Sequence, residues 1–139
     1  MKESVLLVED EPPVARAVAR TLRLGGMDVV VAPSVARTRI LDCRFTVGVL
    51  DIDLGDGSGV DLADELLERA CVGQVIFFTG CGDPVVLARA RRLGPVVAKR
   101  QGIGALVGVM ADLVRPVSAR TSVIVGPSPT LGSRRRSAG

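Results

Sequence analysis

The apolar run Thr46 to Leu50 stops abruptly at Asp51, and a loop with three glycines, Gly55, Gly57 and Gly59, follows it. A buried strand that ends this way delivers one carboxylate to the rim of a sheet. Three other apolar runs end on polar residues of matching use. Ser4 to Val8 is followed by Glu9 and Asp10, Gln74 to Phe78 by Thr79, and Val96 to Ala98 by Lys99. Carboxylates brought close together raise one another's pKa and cost energy unless a cation is shared. A hard divalent ion, Mg2+ or Mn2+, relieves this by taking one or two carboxylates plus waters, and it keeps room for phosphate oxygens. In that setting Asp51 is a nucleophile toward phosphorus, and the metal neutralises the incoming group. Lys99 supplies a positive charge and Thr79 a hydroxyl donor for the transferred oxygens. Asp51 is therefore read as a phosphoryl acceptor. The chain has no histidine, which excludes a histidine base or ligand.

The elements needed to gather these residues are legible. Ser4 to Val8 reads as a strand buried on both faces, the pattern of a parallel sheet. Pro12 and Pro13 open a helix, where a missing N–H costs nothing. Val14, Val18 and Leu22 form its stripe, with Ala15 and Ala19 beside them, and Gly25 and Gly26 end it. Val29 to Ala32 is a second strand, and Ser34 caps a helix expected over residues 35–43. After the third strand, Ser58 caps a helix whose stripe is Leu62, Ala63, Leu66 and Leu67, with Asp61 placed as in a capping box. The fourth strand follows. Asp83 then caps a helix that starts at Pro84 and stops at Gly94 and Pro95. Beyond the short fifth strand, Ile103, Leu106, Val107, Met110, Leu113 and Val114 share one face of a last helix. Five strand-helix repeats of this kind imply an α/β fold, a doubly wound parallel sheet with helices on both faces. Its functional site lies beyond the carboxyl ends of the strands.

The length of 139 residues suits one domain with a full core, and 47% hydrophobic residues argue against general disorder. Aromatics are three Phe, so Val, Leu, Ile and Ala must fill that core. Four of the 18 basic side chains, Arg120, Arg134, Arg135 and Arg136, fall after residue 116 with no acid beside them. Before that point 14 basic side chains face 15 acidic ones. The net charge of +3 thus belongs to the tail and gives no general case for nucleic-acid binding. The division expected is a domain over residues 1–116 and a basic, mostly disordered tail over 117–139. A 23-residue tail is too short for a DNA reader, so output is expected to pass through a protein partner. No run approaches a membrane span and no leader pattern opens the chain, so a cytoplasmic location is expected. Cys43, Cys71 and Cys81 are odd in number without metal-ligand spacing, and read as free thiols in a reducing compartment.

Taken together, Val5 to Pro12, Val49 to Leu54 with Gly57 to Gly59, Phe78 to Gly80, and Ala98 with Lys99 resemble the motifs of bacterial response regulator receiver domains. Order and approximate spacing match over about residues 4–115. The resemblance implies the flavodoxin-like topology with strand order 2-1-3-4-5. It implies that Asp10 and Asp51 bind Mg2+ directly, that Glu9 helps through water, and that the backbone carbonyl of Asp53 is a further ligand. It also implies that Asp51 takes its phosphoryl group from a histidine kinase or phosphotransfer protein, as part of two-component signalling. Thr79 and Lys99 would then bind the phosphoryl and trigger the switch. Such a module is not a turnover enzyme. At most it catalyses its own phosphorylation and dephosphorylation. Self-association into a homodimer stays open. Three departures stand out: Arg100 where a proline usually follows the lysine, a short loop before the lysine, and Val96 and Val97 where the family usually carries an aromatic residue. Readout is expected to differ there.

Other positions have plainer readings. Glu11 reads as a solvated helix start favoured by the helix dipole. Asp53 and Cys81, each two residues past Asp51 and Thr79, either tune phosphoryl hydrolysis or are ordinary loop positions. Residues Gly55 to Gly59 are a backbone device and lack a P-loop pattern. Two other functions fit less well. One is a receiver fold that binds protein without phosphorylation. The other is a haloacid-dehalogenase-like phosphatase, suggested by Asp51-Ile52-Asp53 but opposed by Gly55 and by acids that precede the lysine.

Overall fold

A strand whose residues are all apolar must be covered on both faces, and the chain meets that demand with helices on each side of the runs ending at Val8, Leu50 and Phe78, while Val30 and Val31 on the edge strand stay partly exposed. The computed structural model describes residues 2–41 and 44–113. In chain order the elements are β1 Ser4–Val8, α1 Pro12–Leu24, β2 Asp28–Ala32, α2 Val35–Thr38, β3 Phe45–Leu50, β4 Asp53–Leu54, β5 Gly57–Ser58, α3 Gly59–Glu68, β6 Val72–Thr79, α4 Pro84–Leu93, β7 Val96–Ala98, a 3-10 turn at Lys99–Gln101, and α5 Ile103–Leu113. The main sheet is parallel in the order β2-β1-β3-β6-β7. This is the expected 2-1-3-4-5 order. The added numbers come from the short antiparallel pair β4-β5, which periodicity could not announce in strands of two residues each.

The sheet divides the core in two because side chains alternate along each strand. Leu6, Val8, Leu50, Val75 and Phe77 pack under α2, α3 and α4, joined by Val35, Leu62, Ala63, Leu66 and Ala90. Val5, Leu7, Val47, Val49, Ile76 and Phe78 face α1 and α5, joined by Ala15, Val18, Ala19, Leu22, Leu106 and Met110. Of the expected stripes, Val18 and Leu22 of α1, with Ala15 and Ala19, and Leu62, Ala63 and Leu66 of α3 are buried, whereas Val14 and Leu67 are half-buried. Ser34 accepts the Arg37 N–H, Ser58 those of Val60 and Asp61, and Asp83 those of Val85 and Val86, so all three expected caps form.

The second helix is shorter than expected. Helix α2 ends at Thr38, whose hydroxyl donates to the Val35 carbonyl at 2.6 Å, and a turn closed by the Leu41 N–H on the Thr38 carbonyl follows. A side chain that bonds its own turn competes with helix propagation. Helix α5 is described to Leu113, and Val114 of the expected stripe, Cys43 and the expected tail over 117–139 lie outside the described residues. Among the described residues no helix is long and apolar enough to cross a membrane.

Candidate functional site

Strand register does the gathering. Val8 pairs with Leu50, and the Asp51 N–H donates to the Val8 carbonyl at 3.0 Å, so Glu9 and Asp51 leave the sheet side by side. Thr79 pairs with Ala98 one strand further, which places Lys99 just past Thr79. Beyond Asp51 the chain passes through the β4-β5 pair and returns at Gly59, whose N–H donates to the Ile52 carbonyl at 2.7 Å. A Cβ at position 59 would overlap the Asp51 carbonyl oxygen, so only glycine lets α3 start this close to the end of β3.

Asp51 is 5% exposed, Glu9 2% and Thr79 1%, whereas Asp10 is exposed. The Thr79 hydroxyl donates to Asp51 Oδ1 at 2.7 Å, and the Asp53 N–H approaches the same oxygen at 3.4 Å. The other oxygen, Oδ2, accepts from Lys99 Nζ at 2.9 Å. Lys99 also donates to Glu9, with Nζ 3.1 Å from Oε1, and to Glu11 Oε1 at 2.8 Å. Burial alone would lower the Lys99 pKa, but the hydrogen bonds to Glu11, Asp51 and Glu9 outweigh it and hold it above the usual lysine value. The ammonium is therefore charged and neutralises part of the acidic group. Burial pushes the Glu9 carboxyl up. The hydrogen bond from Lys99 works against that shift and the nearby Asp51 charge adds to it, and the net direction is upward.

Glu9, Asp10 and Asp51 can each present an oxygen such that all three lie within 4.8 Å of one another. All three donors are hard carboxylate oxygens and two of the residues are buried, a set that fits a hard divalent cation. The opening beside them, about 300 Å³, is lined by Asp10, Glu11, Asp51, Asp53, Gly80 and Lys99. It has room for a phosphoryl group. Asp53 is exposed on its rim. Cys81 is half-buried, and its backbone N–H donates to the Thr79 hydroxyl at 3.1 Å while the residue packs against the core under α2–α4. Cys71 and Cys81 are free thiols.

Three contacts escaped the sequence. Glu11 is more than a solvated helix start. It occupies the N-cap position of α1 without capping it, and its side chain reaches Lys99 instead. Its signal was the run of three acids at one strand end. Asp56, on the β4-β5 turn, accepts the Val35 and Ala36 N–H groups at 2.9 and 3.0 Å, so the loop after Asp51 caps α2. Nothing local pairs positions 21 apart. Gln101 accepts the Ala98 N–H at 2.9 Å, closing the turn that carries Lys99 with Arg100 in the place where the family usually has proline.

Residues 5–107 match the response regulator receiver domain family. This chain belongs to that family. The receiver is 34% identical over 95 residues to the transcriptional regulatory protein DpiA of Escherichia coli K12, covering 66% of this chain and 42% of DpiA. It is 32% identical over 94 residues to the acid tolerance regulatory protein ActR of Sinorhizobium medicae, covering 66% of this chain and 48% of ActR. The chain thus spans less than half the length of these relatives. The fold is that of the BeF3-activated DrrB receiver domain of Thermotoga maritima, with a TM-score of 0.76 and 20% identity over 84% of this chain and all of that one. The receiver carries the acidic group, Glu9, Asp10 and Asp51, typical of a phosphoacceptor site.

Proposed function

We propose that this receiver is the phosphoacceptor module of a two-component system, and that Asp51 takes a phosphoryl group from a histidine kinase or phosphotransfer protein. The observation that carries the reading is Asp51 itself. It is a buried carboxylate at a strand end with Thr79 on one oxygen, Lys99 on the other, and Glu9 and Asp10 within reach of a shared cation. In the transfer, one Asp51 oxygen forms a bond to phosphorus as the P–N bond to the donor imidazole breaks. The imidazole leaves with that electron pair and takes a proton from water. When bound, Mg2+ supplies positive charge against the phosphoryl oxygens. Asp10 and Asp51 would hold it, with the Asp53 backbone carbonyl as a further ligand and Glu9 acting through water. Thr79 and Lys99 then donate to the phosphoryl oxygens.

The product adds nearly two negative charges. Movement of Thr79 and Lys99 toward them biases β7 and α5 between two packings, and couplings of this kind are about 1–3 kcal/mol. Output passes to a protein partner in the cytoplasm. The receiver unit is assigned to residues 1–116, with 117–139 as a basic extension. Beyond catalysing its own phosphorylation and dephosphorylation, the chain has no turnover chemistry in this reading. One observation favours a second reading, a receiver that binds its partner without phosphorylation. β7 carries only Val96 and Val97 before Ala98 and Lys99, and no aromatic residue is there to follow Thr79.

The deciding experiment is incubation with acetyl phosphate and Mg2+, followed by intact mass spectrometry. We expect one phosphoryl adduct on the wild-type chain and none on Asp51→Asn. Absence of the adduct with acetyl phosphate and with the cognate kinase would favour the second reading.

A further inference from the structure

We propose that Glu11 is the positioning residue that holds Lys99 until a phosphoryl group arrives, so that the Glu11–Lys99 contact sets how readily the site is phosphorylated. The inference rests on the phosphoacceptor reading of Asp51. An ammonium has three N–H donors, and Lys99 gives one each to Glu9, Glu11 and Asp51. None is left for a phosphoryl oxygen while all three contacts stand, and the ammonium cannot swing to a phosphoryl group until the last contact tethering it is given up. The three are not equivalent. Glu9 and Asp51 are buried, and an ion pair broken there leaves a carboxylate poorly solvated. Glu11 is different: its side chain is 60% exposed, and water takes over its oxygens as soon as Lys99 departs. Glu9 and Asp51 also belong to the group able to share a metal ion, and Glu11 does not. A cation entering that group competes with Lys99 for their oxygens and leaves Glu11 as its remaining partner. The exchange is therefore from Glu11 to the phosphoryl group. Sequence alone makes Glu11 part of a helix start. The fold brings it to Lys99, 88 positions away, at 2.8 Å.

The test is the acetyl phosphate concentration giving half-maximal phosphorylation at saturating Mg2+, measured in a double-mutant cycle. Exposed ion pairs contribute about 0.2–1 kcal/mol, so Glu11→Gln should lower that concentration about 1.4- to five-fold. The same substitution in a Lys99→Ala background should change nothing. An equal drop in both backgrounds would mean that Glu11 only repels the anionic donor, and would overturn the proposal. No drop in either would overturn it too. Glu68→Gln, which removes one charge from the far end of α3, controls for net charge and should leave the value unmoved. A second readout needs no phosphorylation. The 15N resonance of the Lys99 ammonium in metal-free protein should shift in Glu11→Gln and stay in place in Glu68→Gln, and an unmoved resonance in both sinks the inference. A wild-type chain with no Asp51-dependent adduct counts against the phosphoacceptor reading itself. A normal adduct with no Glu11–Lys99 coupling counts against this inference alone.

Discussion

Asp51 has a donor on each carboxylate oxygen, one from the last residue of β6 and one from the turn that follows β7. A hydroxyl and an ammonium already aimed at the acceptor carboxylate have only a short way to move when phosphoryl charge arrives, which is the advantage of donors placed in advance in a water-poor site. The same burial makes the group of acids costly, and Lys99 alone balances only part of it. A divalent cation should therefore stabilise the folded chain. At a concentration 100-fold above its dissociation constant, a ligand that binds only the folded state adds about 2.7 kcal/mol. We expect Mg2+ to raise the thermal midpoint of the wild-type chain and to raise that of Asp10→Asn much less. Equal shifts in both would remove Asp10 from the proposed ligands.

At the scale of elements, the β4-β5 turn links the site to α2. Asp56 accepts two N–H groups at the start of a helix only one turn long, and Ser34 accepts that of Arg37 at 3.1 Å. Helix starts leave unpaired N–H groups, and a short helix has little else to hold it. The hydrogen bonds from Val35 and Ala36 lower the Asp56 pKa. A carboxylate whose folded pKa is depressed contributes stability above its unfolded pKa and loses that contribution as pH falls through the folded value. Asp56→Ala should thus lower the urea midpoint at neutral pH, and its difference from the wild type should shrink as pH falls below about 4. A difference independent of pH would argue against this cap. The turn at Lys99–Gln101 is a parallel case, in which the Gln101 side chain fixes the backbone just before the lysine.

The whole molecule has two cores separated by one sheet, and the site sits at the end where both terminate. Phe77 and Phe78 are adjacent in β6 yet belong to opposite cores. The layer under α1 and α5 depends on few large residues, with Leu106 and Met110 the fully buried members of α5. Leu106→Ala should cost about 2–5 kcal/mol, the range for emptying a buried leucine site. Leu24→Ala, at a position 78% exposed, should stay within about 0.5 kcal/mol. Urea unfolding of the two variants checks both values. A small loss at Leu106 would mean that α5 is held loosely against the sheet.

The five strands of the main sheet, the caps at Ser58 and Asp83, and the polar residues at four strand ends were determined by sequence alone. Each depends on local pattern: continuous apolar runs, a capping side chain, and proline or glycine at a boundary. The membership of the site followed from the same pattern, because in a parallel sheet every strand delivers its last residue to one edge. Only the tertiary structure decided which of those residues touch. Register set Lys99 against Asp51, Glu9 and Glu11 together, and the β4-β5 turn carried Asp56 to a helix start 21 positions away. The same local rules made α2 too long, since a Thr38 hydroxyl turned onto its own helix leaves no periodic signal. Contacts between positions far apart in the chain depend on how strands pair and loops close. For that reason Glu11 read as an ordinary helix start and appears in the folded protein as the exposed partner of Lys99.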